Sequence, residues 1–307
     1  MSTNIMQPSG VTGGAGASAH TSRQPRWYEG KKASEIISKL LIMLVLLAGV
    51  AVILVPFVWM LSVSFMNRAE IYANPPKWIP SQFRWSNYRE AVTTIPFMVL
   101  LRNSMFLVIG RLIGTVLSAS LVAFGFARLR APDSGWLFVV VLATMMLPSS
   151  VTLIPQFVLF TKLRWVNTFK PLIVPAWFGG GAYNVFLLRQ FFMTIPLDYD
   201  DAARIDGCGY FRTWWQIILP LSAPALATVA IFNIMYSWND FMGPLIYLKS
   251  MTESTLSLGL YFFRGVYQPE WNHLMAISVL LILPMIAMFF FAQRLFIQGV
   301  VISGVKG

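Results

Sequence analysis

The chain has 307 residues, 57% of them hydrophobic and only 11% charged, with 23 Lys and Arg against 12 Asp and Glu. Soluble domains carry about 25% charged residues, so this composition excludes an ordinary soluble domain and points to a chain that crosses a membrane several times. The formal charge of +11 does not read as nucleic-acid binding, because the basic residues lie scattered between apolar runs, with no basic stripe and no interleaved aromatics.

A single cysteine, Cys208, rules out an internal disulfide. The histidines, His20 and His273, are far apart and fall in no ligand-like spacing, so no metal site is expected.

Residues 1–30 are rich in Ser, Thr, Gly and Pro and almost free of aliphatics. Such a segment buries too little apolar surface to order itself. The apolar run that follows is too long for the h-region of a secretory signal, so the expectation is a disordered arm over 1–35 and a retained first span. Six apolar runs then follow, at Leu40–Phe65, Ser104–Ala127, Trp136–Phe160, Leu172–Met193, Pro224–Leu248 and His273–Ile297. Each is near the roughly 20 residues that a bilayer requires, which predicts an all-α polytopic membrane protein with six transmembrane helices. Pro56, Pro148, Pro155, Pro175, Pro244 and Pro284 fall inside these runs and predict kinked spans, as a pathway that opens and closes would use. Lys and Arg are almost evenly shared between alternate loops, so the charge bias leaves the orientation open.

Between the fourth and fifth runs lies a long polar interruption, "DDAARIDGCGYFRTWWQIILPLSAP" (200–224). Pro196 can open a helix, Asp198, Asp200 and Asp201 favour its positive end, and Arg204 lies within pairing reach of Asp200 and Asp201. Gly207 can end it in a left-handed conformation. A second short helix from about Tyr210 is expected to stop before Pro220. Ala202 and Ala203, small and flanked by charges, suit a peg that docks on another subunit. An amphipathic linker on the bilayer, with Trp214 and Trp215 at the headgroups, fits the same residues.

The spacing Asp201-Ala202-Ala203, three residues, Gly207, nine residues, Ile217, one residue, Leu219-Pro220 resembles the EAA loop of binding-protein-dependent ABC importer permeases. That pattern reads Glu-Ala-Ala-x3-Gly-x9-Ile-x-Leu-Pro, and only Asp201 departs from it. "NVFLLRQFFMTIP" (184–196), "SWNDFMGPLIYL" (237–248) and "QGVVISGVKG" (298–307) are similar to the maltose-type, carbohydrate-uptake branch. The resemblance covers residues 36–307, which it implies form one transmembrane domain with the EAA loop at 194–220. It implies that both termini face the cytoplasm of a bacterial inner membrane. It also implies a sister permease, a dimer of nucleotide-binding ATPase subunits and an external solute-binding protein as partners. Asp201, Ala202, Ala203, Gly207, Ile217, Leu219 and Pro220 would form the ATPase-coupling interface, and the loop 249–270, which has Arg264, Tyr267 and Trp271 near its end, would as a region meet the binding protein. No G-x-x-x-x-G-K-[ST] phosphate loop is present, so ATP and Mg are expected on the partner ATPase and no cofactor or bond chemistry in this chain.

Polar residues within spans usually face the bundle interior, which nominates Tyr183, Asn184, Asn233, Asn239 and Asp240 for the solute pathway or for helix–helix hydrogen bonding. Arg111 lies within the second span. It either snorkels to the outer interface or faces the cavity, where it would favour an acidic solute. Two other readings remain at this point. A secondary transporter would need a coupling-ion site, with Asp240 the candidate. A membrane enzyme would use Asp198, Asp200 and Asp201 to hold a metal.

Overall fold

The computed structural model describes residues 27–261 and 270–304. Most of the expected arm lies outside them, as do Arg264 and Tyr267. Among the described residues every regular element is helical. The chain divides after Pro56 into two units.

The first unit is the leading part of helix α1 (Trp27–Phe65), which begins earlier than expected, so the arm's last residues, 27–35, are helical. Leu40, Leu41, Ile42 and Met43, successive residues that together circle the helix, are all exposed. A helix apolar all round is stable only in lipid or against other apolar surfaces.

The second unit starts with the end of α1 and the connection that follows it, which holds α2 (Arg68–Ile71) and α3 (Ser86–Thr94). Asn67 and Glu70 form a reciprocal capping box at the start of α2. The buried Asn87 amide donates to the carbonyls of Ser64 and Met66, both at 2.9 Å, and so closes the end of α1 onto α3.

Helix α4 (Phe97–Arg128) is the central element. It is followed by α5 (Ser134–Thr144) and α6 (Ser149–Lys162), which meet at a bend of 95°. Next come α7 (Lys170–Ile173), a 3-10 turn (Val174–Trp177) and α8 (Ala182–Thr194). The polar interruption folds as α9 (Asp198–Ile205), then α10 (Tyr210–Thr213), a π-turn (Trp214–Ile218) and α11 (Leu219–Leu221). The remainder comprises α12 (Ala223–Trp238), α13 (Met242–Tyr247), α14 (Leu256–Gly259) and α15 (Trp271–Gly304).

Four stretches are long and apolar enough to cross a membrane, at Ser34–Phe65, Phe97–Arg128, Lys170–Thr194 and Trp271–Phe291. Two bent pairs, α5 with α6 and Tyr210–Leu221 with α12, bring the total to as many as six when each pair is counted as one span. The fifth span therefore differs from the expectation of Pro224–Leu248. Its helix ends at Trp238, and Asn239 and Asp240 lie in the break before α13. The prolines also divide. Pro56, Pro155 and Pro284 sit inside helices, whereas Pro148 precedes α6, Pro175 lies in the 3-10 turn and Pro244 in short α13. Half of them mark breaks rather than kinks.

Close packing around α4 rests on its small residues. A Cβ on Gly114 would come within 2.5 Å of the Trp177 ring, and one on Gly180 within 2.5 Å of the Thr115 carbonyl oxygen. Gly180 also has φ +61°, a conformation open to glycine at little cost. The Ser118 hydroxyl donates to the Ala176 carbonyl at 2.9 Å. Within lipid, such close backbone approach and interhelical hydrogen bonds replace the hydrophobic drive of soluble cores. A core of Ala123, Phe124, Leu188, Phe192, Trp214 and Ile218 joins α4, α8 and the polar interruption. A separate core of Leu100, Trp238, Leu256, Ala276 and Ile277 joins the beginning of α4 to α12, α14 and α15.

Candidate functional site: a polar cavity and the loop tied to its wall

A cavity of about 850 Å³ opens between α4, α6, the segment 171–184, α12 and α13. Arg111, Tyr183, Asn184, Asn233 and Asp240 all line it, so the fold brings together five of the six pathway residues read from the sequence. Asn239 does not join them. It lines a smaller hollow beside Phe241 and Tyr261, and its amide donates to the Met235 carbonyl one helical turn back, at 2.8 Å.

Arg111 does not snorkel. With α4 starting at Phe97, Arg111 is about 21 Å along the helix, near its middle. Its Nη1 donates to Asp240 Oδ2 at 2.9 Å, and its guanidinium lies 4.9 Å from the centre of the Tyr236 ring. The other carboxylate oxygen of Asp240 accepts from the Gly243 N–H at 3.0 Å, which orders the turn into α13. The lone cation that favoured an acidic solute is thus a paired one, and the candidate ion-coupling carboxylate is already satisfied. Asn233 donates to Thr115 Oγ1 at 2.9 Å, and Asn184 to the Gly180 carbonyl at 2.7 Å. Asn233 combines helix–helix bonding with cavity lining, which the sequence presents as alternatives.

Thr115, Gln156 and Tyr236 also line the cavity and are not among the residues nominated from the sequence. Thr115 falls one turn beyond Arg111, and Tyr236 lies between Asn233 and Asp240, so helical periodicity around the charged pair is the signal that points to them. Gln156 belongs to the bent pair and carries no such signal.

The polar interruption is built as a helix, a glycine elbow and a second helical piece. The Cys208 N–H donates to the Ala203 carbonyl at 2.8 Å and the Gly207 N–H to that of Arg204 at 3.0 Å, the Schellman arrangement, with Gly207 at φ +76°. The second piece does not stop before Pro220. The run continues to Leu221 because a π-turn precedes it, in which the Leu219 N–H reaches Trp214 O. That wider turn accommodates a proline whose ring would clash inside a regular α-helix. Trp214 is buried in the core and only Trp215 is exposed, so the headgroup reading is ruled out for Trp214.

The three aspartates of α9 do not converge. Asp201 is exposed and lies 3.7 Å from Arg204. Asp200 turns inward to Arg128, the last residue of α4, at 3.3 Å, with side-chain exposures of 11% and 4%. Arg128 also donates to the Ile195 carbonyl at 2.8 Å. Among the described residues no group of three acidic, His or Cys side chains is placed to hold a metal. Ala203 is buried, whereas Ala202 faces solvent beside Leu197, Tyr199 and Ile205. Of the other coupling candidates, Ile217 and Leu219 are half-buried and Gly207 and Pro220 exposed.

An all-α membrane unit with a polar cavity among broken spans, and a polar loop held to the end of a cavity-wall helix, defines a permease. The chain belongs to the family of binding-protein-dependent transport system inner membrane components, whose model matches residues 116–302. It is 34% identical over 281 residues to the arabinooligosaccharides transport system permease protein AraQ of Halalkalibacterium halodurans, covering 90% of this chain and 99% of that one. It is 29% identical over 266 residues to the sn-glycerol-3-phosphate transport system permease protein UgpE of Yersinia enterocolitica, covering 84% and 94%. Its fold matches a chain of a bacterial ABC transporter involved in the import of the acidic polysaccharide alginate, with a TM-score of 0.74 at 20% identity over 89% of this chain and 99% of that one.

Proposed function

We propose that this ABC importer permease passes an oligosaccharide from an external binding protein through the cavity around Arg111 and Asp240, driven by ATPase subunits docked on α9. The observation that carries the reading is the continuity of α4. Arg111 and Thr115 stand in the cavity wall, and Arg128 at the end of the same helix holds Asp200 of the polar loop. A displacement of α9 is therefore delivered to the wall of the passage by one rigid element. The oligosaccharide assignment draws on the name of the AraQ relative and on a cavity lined by hydroxyls, amides and tyrosines.

In this reading residues 36–307 are the transmembrane domain and 194–220 its coupling loop. Both termini are cytoplasmic. Asp201, Ala202, Gly207, Leu219 and Pro220 present the docking surface, and the exposed Leu197, Tyr199 and Ile205 add apolar area to it. ATP and Mg are held by the partner ATPase, this chain performs no bond chemistry, and a sister permease completes the passage.

The test is to purify the tagged chain gently from its native membrane, identify what accompanies it by mass spectrometry, and measure ATP hydrolysis. A second permease and an ATPase in the same particle, with the ATPase released by Ala202→Glu, supports the reading. A chain that comes out alone and transports when reconstituted alone refutes it.

A further inference from the structure

Among the described residues that line the cavity, Arg111 and Asp240 are the only ones with a formal charge at neutral pH, and they are bonded to each other. We propose that this ion pair makes the passage selective for uncharged saccharides and against acidic ones. The inference rests on the oligosaccharide reading above and narrows it.

Both partners are held in place from other directions. Asp240 accepts from the Gly243 N–H through its second carboxylate oxygen, and its own carbonyl accepts from the Ser257 hydroxyl at 2.7 Å. The Arg111 guanidinium lies over the Tyr236 ring. Side-chain exposures of 15% and 13% leave the pair partly desolvated. A solute carboxylate or phosphate that reaches the other N–H groups of Arg111 lies beside the like-charged Asp240, and one that displaces Asp240 leaves a half-buried carboxylate with a single backbone donor. Stranding one partner of such a pair costs more than the new contact returns. A solute hydroxyl meets no such penalty. It can donate to Asp240 and accept from the guanidinium while the pair stays closed, with the exposed rings of Tyr183 and Tyr236 to receive the apolar face of a sugar.

The experiment uses the complete importer in proteoliposomes. The probes are arabinotriose, xylotriose and maltotriose, each beside the aldonic acid formed by oxidising its reducing end. Affinity for the binding protein is measured separately, so that uptake is compared at equal occupancy. The wild type moves at least one neutral probe and moves its aldonic partner more slowly by on the order of tenfold. Asp240→Asn leaves Arg111 as an unbalanced cation, and the ratio of acidic to neutral uptake rises by on the order of tenfold. The double variant Arg111→Gln with Asp240→Asn lacks both the pair and the unbalanced cation, and its ratio falls between those of the wild type and of Asp240→Asn.

If Asp240→Asn does not assemble, Arg111→Gln replaces it, and a tri-glucosamine probe then gains on maltotriose by a similar factor. Neutral uptake with a ratio that does not move in the single variants overturns the inference and leaves the permease reading standing, as does a wild type that prefers the aldonic probes. A wild type with active ATPase that moves none of the saccharides refutes the oligosaccharide reading, and this inference with it.

Discussion

Arg128, the last residue of the central span, and Asp200, on the first helix of the polar loop, form an ion pair that is almost fully enclosed by the chain's own core. Removing one partner leaves an uncompensated charge in a poorly solvated place, at a cost of about 3–5 kcal/mol. Asp200→Ala and Arg128→Met are each expected to lower the thermal midpoint of the purified complex markedly. In the fraction that still assembles, ATP hydrolysis becomes less dependent on solute-loaded binding protein. A combined Arg128→Met, Asp200→Leu variant recovers much of the stability and little of the coupling. Equal coupling in all three would show that α9 does not act through α4.

Ala202 and Ala203 are expected to respond differently to the same substitution. Ala203 is buried against its own chain, so Ala203→Glu forces a carboxylate into the core and reduces folded protein, by about 3 kcal/mol or more. Ala202 faces solvent, so Ala202→Glu leaves the stability of the isolated permease within about 1 kcal/mol of the wild type and weakens retention of the ATPase. Size-exclusion profiles and co-purification yields separate the two effects.

Gly180 combines a positive φ with no room for a side chain. Gly180→Ala is expected to destabilise the protein by about 2–4 kcal/mol through strain and overpacking against Thr115 and Ala119. Gly125 has open space around its Cβ position and lies within helix α4, so Gly125→Ala is neutral or slightly stabilising. Thermal unfolding of the two variants side by side checks the prediction.

Glu70, just beyond the first span, is held below the ordinary glutamate value of 4.5 by hydrogen bonding from Ser81 and then from the Asn67 backbone. A carboxylate with a lowered folded pKa contributes stability that is complete above its unfolded value. That contribution is lost as the pH falls through the folded value. Acidification from pH 5 towards pH 3 is therefore expected to loosen the connection between α1 and α3 in the wild type. Glu70→Gln is less stable at neutral pH and shows a smaller loss over the same range. Hydrogen exchange at residues 67–81 across that window provides the measurement.

The number of spans and the glycine elbow of the polar loop are legible in the amino-acid sequence, because each rests on local spacing. Gly207 is an example, since a helix-ending glycine is written within a few residues of the helix it ends. The side-chain partners are not legible in this way. Helical spacing puts Asp200 within reach of Arg204, yet it faces Arg128, because its side of α9 turns towards the core. An apolar run that starts at Ser104 puts Arg111 too near the membrane surface. The helix in fact starts at Phe97, and Asn103 within that extra stretch is satisfied by the carbonyls of Thr252 and Ser254.

By itself, then, the sequence determined that this is a polytopic helical permease with a polar loop between its fourth and fifth spans, because apolar run length and motif spacing are one-dimensional properties. Only the tertiary structure decided that Arg111 is neutralised by Asp240, that Asp200 is bound to Arg128, and that Ala202 rather than Ala203 faces outward. Arg111 and Asp240 are 129 positions apart. Whether two such side chains meet depends on the packing of the helices that carry them, which no local periodicity encodes.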